Sequence, residues 1–364
     1  MSVRLLVGAK EFWLAFGEDA RGATSRCYAQ MLTFEADEAG RGLVDLLLAL
    51  PSTVDRRLIV DDYSHYVHND RFLYRPSSIV DGALWREARA TFALVRSLAD
   101  HGVGVHWTNR IYGRLHRLAA CNHKKILVVD DRVAYIGGIN FSDHNFGWHD
   151  LMVRIDDPEL VACLAEDCLE TFAGRNQCFT RTFRDGQLTL LDGKRNPEQL
   201  RPMFEQIASA REDVFVIAPY ASAPFFDPLE AAARRGVRVM ILTPAANNWS
   251  LYDGYIRIEC FRRGFELYHM PVRMLHMKAM LIDSRQLIVG SSNFDYFSYH
   301  LFQELLFVTT DDGLVRDFRE RIRDKDFALA RREHLTDDFS WQTRWAWNKV
   351  RTGFPVIAWF NRRI

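Results

Sequence analysis

Two short segments gather side chains able to handle an anion. In residues 122–140, His123 and Lys125 stand ahead of an aliphatic run, Asp130, Gly137, Gly138 and Asn140; in residues 275–293, His276, Lys278, Asp283, Gly290, Ser291 and Asn293 repeat the order at an offset of 153. Imidazole can act as nucleophile or proton donor near neutral pH, and ammonium and carboxamide groups donate hydrogen bonds to anionic oxygens. This inventory suits a phosphate ester. It lacks the carboxylate cluster of a magnesium site, and a histidine and lysine two apart are not a zinc pair, so no metal and no cofactor is expected.

If both half-sites address one phosphorus, one histidine attacks in line to give a phosphohistidine while the other protonates the departing alcohol. The roles reverse when a second alcohol or water enters. Lys125, Lys278, Asn140 and Asn293 would hold the phosphorus-bound oxygens, each such donor lowering the barrier by about 3 kcal/mol. A nucleophilic imidazole needs its other nitrogen tied to an acceptor. Asp150, 27 residues beyond His123, and Glu304, 28 beyond His276, are the candidates. Gly137, Gly138, Gly290 and Ser291 are expected to leave room for an oxyanion at the backbone. Asp130 and Asp283 have the wrong strand parity to join the histidines and are expected to fix turns. His65, His68, His106, His116 and His269 lack such company and read as surface or satisfied histidines.

A strand would hold each histidine and lysine on one face, its aliphatic continuation fixing the register in the core. "DDR" would then turn the chain so that "VAYIGG" returns the glycines and Asn140 toward His123. Upstream, a strand at 25–37, a helix in "GRGLVDLLLALP" and a strand in "RRLIVDDYS" have counterparts at 211–222, in "DPLEAAARRG" and in "VRVMILTPA". Each half is therefore a βαβ series, which predicts a mostly parallel or mixed sheet with helices on both faces. The turn-rich stretch 184–202 is the expected connection between halves.

The 364 residues exceed the usual size of one domain. Lys+Arg and Asp+Glu both number 47, which argues against a protein that coats nucleic acid, so any anion site must be local. Six cysteines without a CxxC pair read as reduced thiols. Arg4, Lys10 and Glu11 interrupt any signal-peptide core, and no window reaches the roughly 18 apolar residues of a membrane span. A membrane would be met from the side.

The paired motifs resemble the duplicated HxKxxxxD signature of the phospholipase D superfamily, and their GGxN and GSSN continuations are most similar to bacterial cardiolipin synthases. "GVRVMILTP" resembles the family's helix-strand unit and "NRIYGRLHRLAACNHKK" its basic lead-in, whereas "ALPSTVDRRLIVDD" replaces the usual RGV-containing stretch of the first half. The resemblance implies a duplicated α/β fold: two βα sandwich halves with mixed sheets, related by pseudo-twofold symmetry, with the active site at their interface. Residues 1–185 would form the first half, 186–335 the second and 336–364 a tail. It also implies transfer of a phosphatidyl group, from phosphatidylglycerol or a related phospholipid to a headgroup hydroxyl. That activity belongs on the cytoplasmic side of a bacterial inner membrane, with no nucleic acid and no obligate protein partner. A phosphodiesterase or nuclease using the same site, and an inactive lipid-binding scaffold, are the alternatives.

Arg110, Arg114, His116, Arg117 and Lys124 are expected to form a cationic rim for anionic headgroups, with Tyr63 and Tyr220 at the mouth of the site. In the tail, Trp341, Trp345, Trp347 and Trp359 alternate with Arg344, Lys349, Arg351, Arg362 and Arg363. Thr336 or Asp337 would cap one helix, Gly353 would end it and Pro355 would start another. Tryptophan with arginine on short amphipathic helices suits an anionic membrane surface. Helices closing the core of the second half are the competing reading.

Overall fold

The structure, a computed structural model, describes residues 3–184 and 186–363, with the side chains of 362 and 363 outside that description. The chain divides into two compact units, Met1–Gln177 and Cys178–Ile364. The expected division between 185 and 186 falls eight residues beyond this one, and position 185 itself lies outside the described residues.

In the first unit the strands of the main sheet are β1 (Val3–Val7), β2 (Arg26–Met31), β3 (Asp55–Asp61), β4 (Gly104–Thr108), β5 (Ile126–Val129), β6 (Val133–Gly137) and β7 (Leu151–Ile155), and the longer helices are α1 (Gly8–Arg21), α2 (Glu38–Ala49), α3 (Gly82–Asp100) and α4 (Pro158–Phe172). The sheet order is β1-β7-β6-β5-β2-β3-β4. The strands β2, β3 and β4 run parallel, and β2 meets β5 antiparallel. Buried Phe12, Phe16 and Tyr135 stack edge and face on one another beneath the sheet. Side chains of Ile126–Val129 are buried throughout, as a strand covered on both faces requires.

The second unit repeats this order. Its strands are β8 (Phe179–Phe183), β9 (Gly186–Asp192), β10 (Asp213–Ile217), β11 (Arg238–Pro244), β12 (Glu266–Met270), β13 (Ala279–Ile282), β14 (Gln286–Gly290), β15 (Gln303–Thr309) and β16 (Arg331–Arg332). They lie as β8-β9-β15-β14-β13-β10-β11-β12-β16, so the seven-strand order of the first unit recurs with one strand added at each edge. Helices α5 (Asn196–Ala208), α6 (Phe226–Ala233), α7 (Ser250–Arg263) and α8 (Trp341–Arg363) accompany it.

Two local expectations are corrected. The stretch 184–202 is largely β9 and the start of α5, because Leu188, Leu190 and Leu191 are buried and outweigh the turn formers around them. The tail is one helix. Ser340, not Thr336 or Asp337, accepts from the N–H of Thr343 at its start. Gly353 and Pro355 lie inside α8, where burial of Ala346, Val350, Phe354 and Ala358 at every fourth position outweighs the hydrogen bond that Pro355 forfeits.

Candidate active site

His123 and Lys125 occupy the extended residues just before β5, and His276 and Lys278 those just before β13, one step earlier than the expected strands. All four are buried, each no more than 5% exposed. The Lys125 ammonium donates to the carbonyl of His123 at 2.6 Å. Lys278 likewise donates to the carbonyl of His276, and its Nζ stands 2.8 and 2.9 Å from the two ring nitrogens, beside the edge between them. Each lysine is thus folded onto its own histidine, a consequence of residues two apart facing one way.

The hairpins after the motifs turn where Asp130 and Asp283 take left-handed φ of 54° and 50°. The Asp130 carboxylate accepts from the backbone N–H of Thr24, Ser25 and Arg26 at 2.7 to 3.1 Å, and Asp283 accepts from those of Arg211, Glu212 and Asp213 at 2.8 to 3.3 Å. Both carboxylates therefore staple the hairpin to the entry of the neighbouring strand. Burial opposes ionisation of Asp130, but these N–H groups hold it well below the usual carboxylate range.

The glycines serve close packing. A Cβ on Gly137 would overlap the carbonyl of Leu151, one on Gly290 that of Leu305, and one on Gly138 the carboxylate of Asp150. The space expected for an oxyanion at these positions is filled by the adjacent strand. At the position of Gly138 the second unit has Ser291, whose hydroxyl donates to Glu304 and accepts from the N–H of Leu305 at 3.0 Å. Glu304, fully buried, also accepts from Ser298 Oγ at 2.8 Å; Asp150, equally buried, accepts from the N–H of Leu151 at 2.8 Å. The carboxylates thus sit against the glycine-serine corner of each motif.

Asn140 accepts from the N–H of Thr33 at 3.3 Å and donates to Asn145 at 3.4 Å. Asn293 donates its backbone N–H to Ser298 Oγ at 3.3 Å, and its buried Oδ1 meets no partner among the described residues. Tyr220 reaches the second histidine, its ring 6.3 Å from that of His276 and nearly perpendicular, while its hydroxyl donates to Asn248 at 2.5 Å. Tyr220 also packs 5.0 Å from Tyr252, whose hydroxyl donates to buried Asp295 at 2.6 Å. Burial raises Asp295 to about 6. The Tyr252–Asp295 pair carried no sequence signal beyond its proximity to Asn293.

Tyr63 is half-buried, and burial pushes its phenol well above its ordinary value. Arg110 pairs with Asp62 at 3.2 Å, Arg117 donates to the carbonyl of Arg110 at 3.1 Å, and Arg114 is exposed. Lys124 departs from the expected rim. It is fully buried, its ammonium 2.6 and 2.8 Å from the Asp167 carboxylate and 3.4 Å from Thr171 Oγ1 on α4, because alternation points it away from the face of Lys125. His65 meets Asp62 at 2.9 Å and His269 meets Glu333 at 2.5 Å; His106 and His116 are half-buried. His68 is fully buried against Phe92, and burial lowers it to about 4, so it stays neutral. Among the described residues Glu35, Asp37 and Glu87 bring carboxylate oxygens within 4.8 Å of one another, and none belongs to either motif.

Of the four tryptophans assigned to a membrane, Trp341, Trp345 and Trp359 are 72%, 51% and 48% exposed. Trp347 is half-buried instead, its indole N–H on Glu259 at 2.6 Å and its ring centroid 5.2 and 4.9 Å from the guanidinium carbons of Arg262 and Arg351. Among the described residues no helix is long and apolar enough to cross a membrane.

Fold and paired motifs together define an enzyme of the phospholipase D superfamily. The model of the family described as cardiolipin synthase, PLD-like domain, matches residues 18–170 and 203–325, and the chain belongs to that family. It is 28% identical to cardiolipin synthase A of Pseudomonas fluorescens strain SBW25 across 94% of this chain and 71% of that one. It is 30% identical to cardiolipin synthase A of Pseudomonas putida strain KT2440 across 64% of this chain, spanning only 53% of that relative's length. The fold is shared with phosphatidylserine synthase of Haemophilus influenzae (TM-score 0.72, 12% identity, 98% of this chain and 93% of that one). It is shared also with polyphosphate kinase of Porphyromonas gingivalis (TM-score 0.63, 11% identity, 97% of this chain and 53% of that one).

Proposed function

We propose that the chain is a phosphatidyltransferase of the cardiolipin-synthase type, taking a phosphatidyl group from phosphatidylglycerol or a related phospholipid and passing it to the hydroxyl of a second headgroup. One motif histidine attacks phosphorus and expels the alcohol, which leaves with a proton from the other histidine. The incoming alcohol then loses its proton to that second histidine and displaces the first. Lys125, Lys278, Asn140 and Asn293 stabilise the charge on the phosphorus-bound oxygens. Asp150 and Glu304 orient the imidazoles through the corners they pack against. Arg110, Arg114 and Arg117 draw the anionic headgroup, Tyr63 and Tyr220 flank it, and α8 rests on the anionic, cytoplasmic face of a bacterial inner membrane.

The observation that carries this reading is the recurrence, at one point of the same sheet order, of a buried histidine with its lysine folded onto it. Phosphatidylglycerol vesicles incubated with the protein should yield a doubly phosphatidylated product and free glycerol, with rates unchanged by a chelator. His123→Ala and His276→Ala should each lose about 10³-fold or more. Strict dependence on a divalent ion, or release of soluble nucleotides from DNA with no lipid product, would refute the proposal.

A further inference from the structure

Asn122, which immediately precedes His123, donates its backbone N–H to Asp61 Oδ2 at 2.7 Å. The same buried carboxylate, at the end of β3, accepts from Asn109 Nδ2 at 2.7 Å, Thr108 Oγ1 at 2.9 Å and the N–H of Tyr63 at 2.9 Å. Four directed hydrogen bonds therefore join the ends of β3 and β4 to the residue before the first motif histidine. Asn122 in turn accepts from the N–H of Lys124 at 3.2 Å.

Strand register identifies the equivalent positions in the second unit. Val129 pairs with Cys27 and Ile282 with Val214; Cys27 pairs with Arg56 and Val214 with Val239. Five residues on from Arg56 and Val239 stand Asp61 and Pro244, which pair with Thr108 and Met270. Asn109 then corresponds to Pro271, and by the motif offset Asn122 corresponds to Leu275. The positions of the polar clamp Asp61, Thr108, Asn109 and Asn122 are thus taken in the second unit by an apolar set, Pro244, Met270, Pro271 and Leu275, of which Met270 and Leu275 are buried.

We infer that Asp61 is a positioning residue for His123, and that the two half-sites are held by different physics: directed bonds to a buried carboxylate in the first, non-directional apolar packing in the second. A carboxylate with four donors fixes the height and tilt of the Asn122 peptide, and His123 inherits that placement through one Cα. Apolar contacts leave such freedom to packing alone. Exchange at Asp61 therefore alters the chemistry of His123 and leaves that of His276 in place.

The catalytic arm of the test rests on the proposed transferase reading; the spectroscopic arm does not. In full-length protein labelled at histidine, the two motif histidines are assigned by loss of their signals in His123→Ala and His276→Ala. Asp61→Asn keeps the shape but sets an NH₂ against donors. Its expected effect is a shifted tautomer ratio or titration midpoint for His123 with His276 unchanged, and kcat lower by about 10²-fold with KM within about twofold. Should Asp61→Asn not fold, Asp61→Glu keeps the charge and displaces the carboxylate by one methylene, with the same expected result. A folded variant with an unaltered His123 signal and wild-type kcat, or one perturbing both histidines equally, would overturn the inference. If wild type transfers no phosphatidyl group, the histidine spectra still decide it.

Discussion

Asp130 acts on the motif at a distance: the hairpin that returns Asn140 starts at its left-handed backbone and is stapled to Thr24, Ser25 and Arg26 by its carboxylate. Asp130→Asn loses a charged acceptor for the backbone N–H groups of Thr24, Ser25 and Arg26, a cost on the order of 2 kcal/mol at pH 7. The sign of its pH dependence follows from a folded-state pKa depressed below the 3.8 of an unperturbed aspartate. The stabilisation is present above 3.8 and lost as pH falls toward the lower folded value, so wild-type and variant melting temperatures should converge in acid. A constant gap from pH 7 to pH 3 would contradict it. Lys124 gives a second case. Lys124→Met, which copies Met277 of the other motif, leaves Asp167 buried and unpaired and should cost about 3–5 kcal/mol, while the double variant Lys124→Met/Asp167→Leu should recover most of that. Denaturant melts of the three proteins measure both terms.

Hairpins and βαβ units were legible because period-two alternation and turn chemistry act within about ten residues. Both motifs and their turns follow from that local code; the sheet order does not, since it rests on pairings such as Cys27 with Val129. What the sequence concealed lies in longer contacts. The Asp61 clamp joins positions 61 residues apart, with no periodicity to announce it. Gly353 and Pro355 looked like helix ends, yet α8 runs through them because Phe354 packs 5.7 Å from Tyr252 and 4.5 Å from Phe297. Because of this packing, deleting 337–364 should strip a buried face from α7 and destabilise the second unit. Point changes separate the two faces of α8. Phe354→Ala should cost about 3–5 kcal/mol. Joint replacement of Trp341, Trp345 and Trp359 by serine should leave the melting temperature within about 2 °C of wild type while lowering flotation with anionic vesicles. Unchanged flotation would remove the membrane role of this helix.

The whole chain carries no net charge, so its attraction to an anionic surface has to arise from where charges sit. Between 341 and 363 the sequence has Arg344, Lys349, Arg351, Arg362 and Arg363 and no acidic residue, the side chains of the last two lying outside the described residues. Each cation near an anionic leaflet contributes about 1 kcal/mol, and that attraction fades as the screening length shortens from about 8 Å at 0.15 M salt to about 3 Å at 1 M. The exposed tryptophans contribute a term that salt does not screen. Vesicle partitioning should therefore fall steeply with ionic strength despite the zero net charge, then level off at a residual that vanishes in the triple serine variant. Binding to vesicles of purely zwitterionic lipid should match that residual at every salt concentration. Salt-independent binding to anionic vesicles would show that apolar contact alone holds the protein there, and the cationic residues of this segment would lose that role.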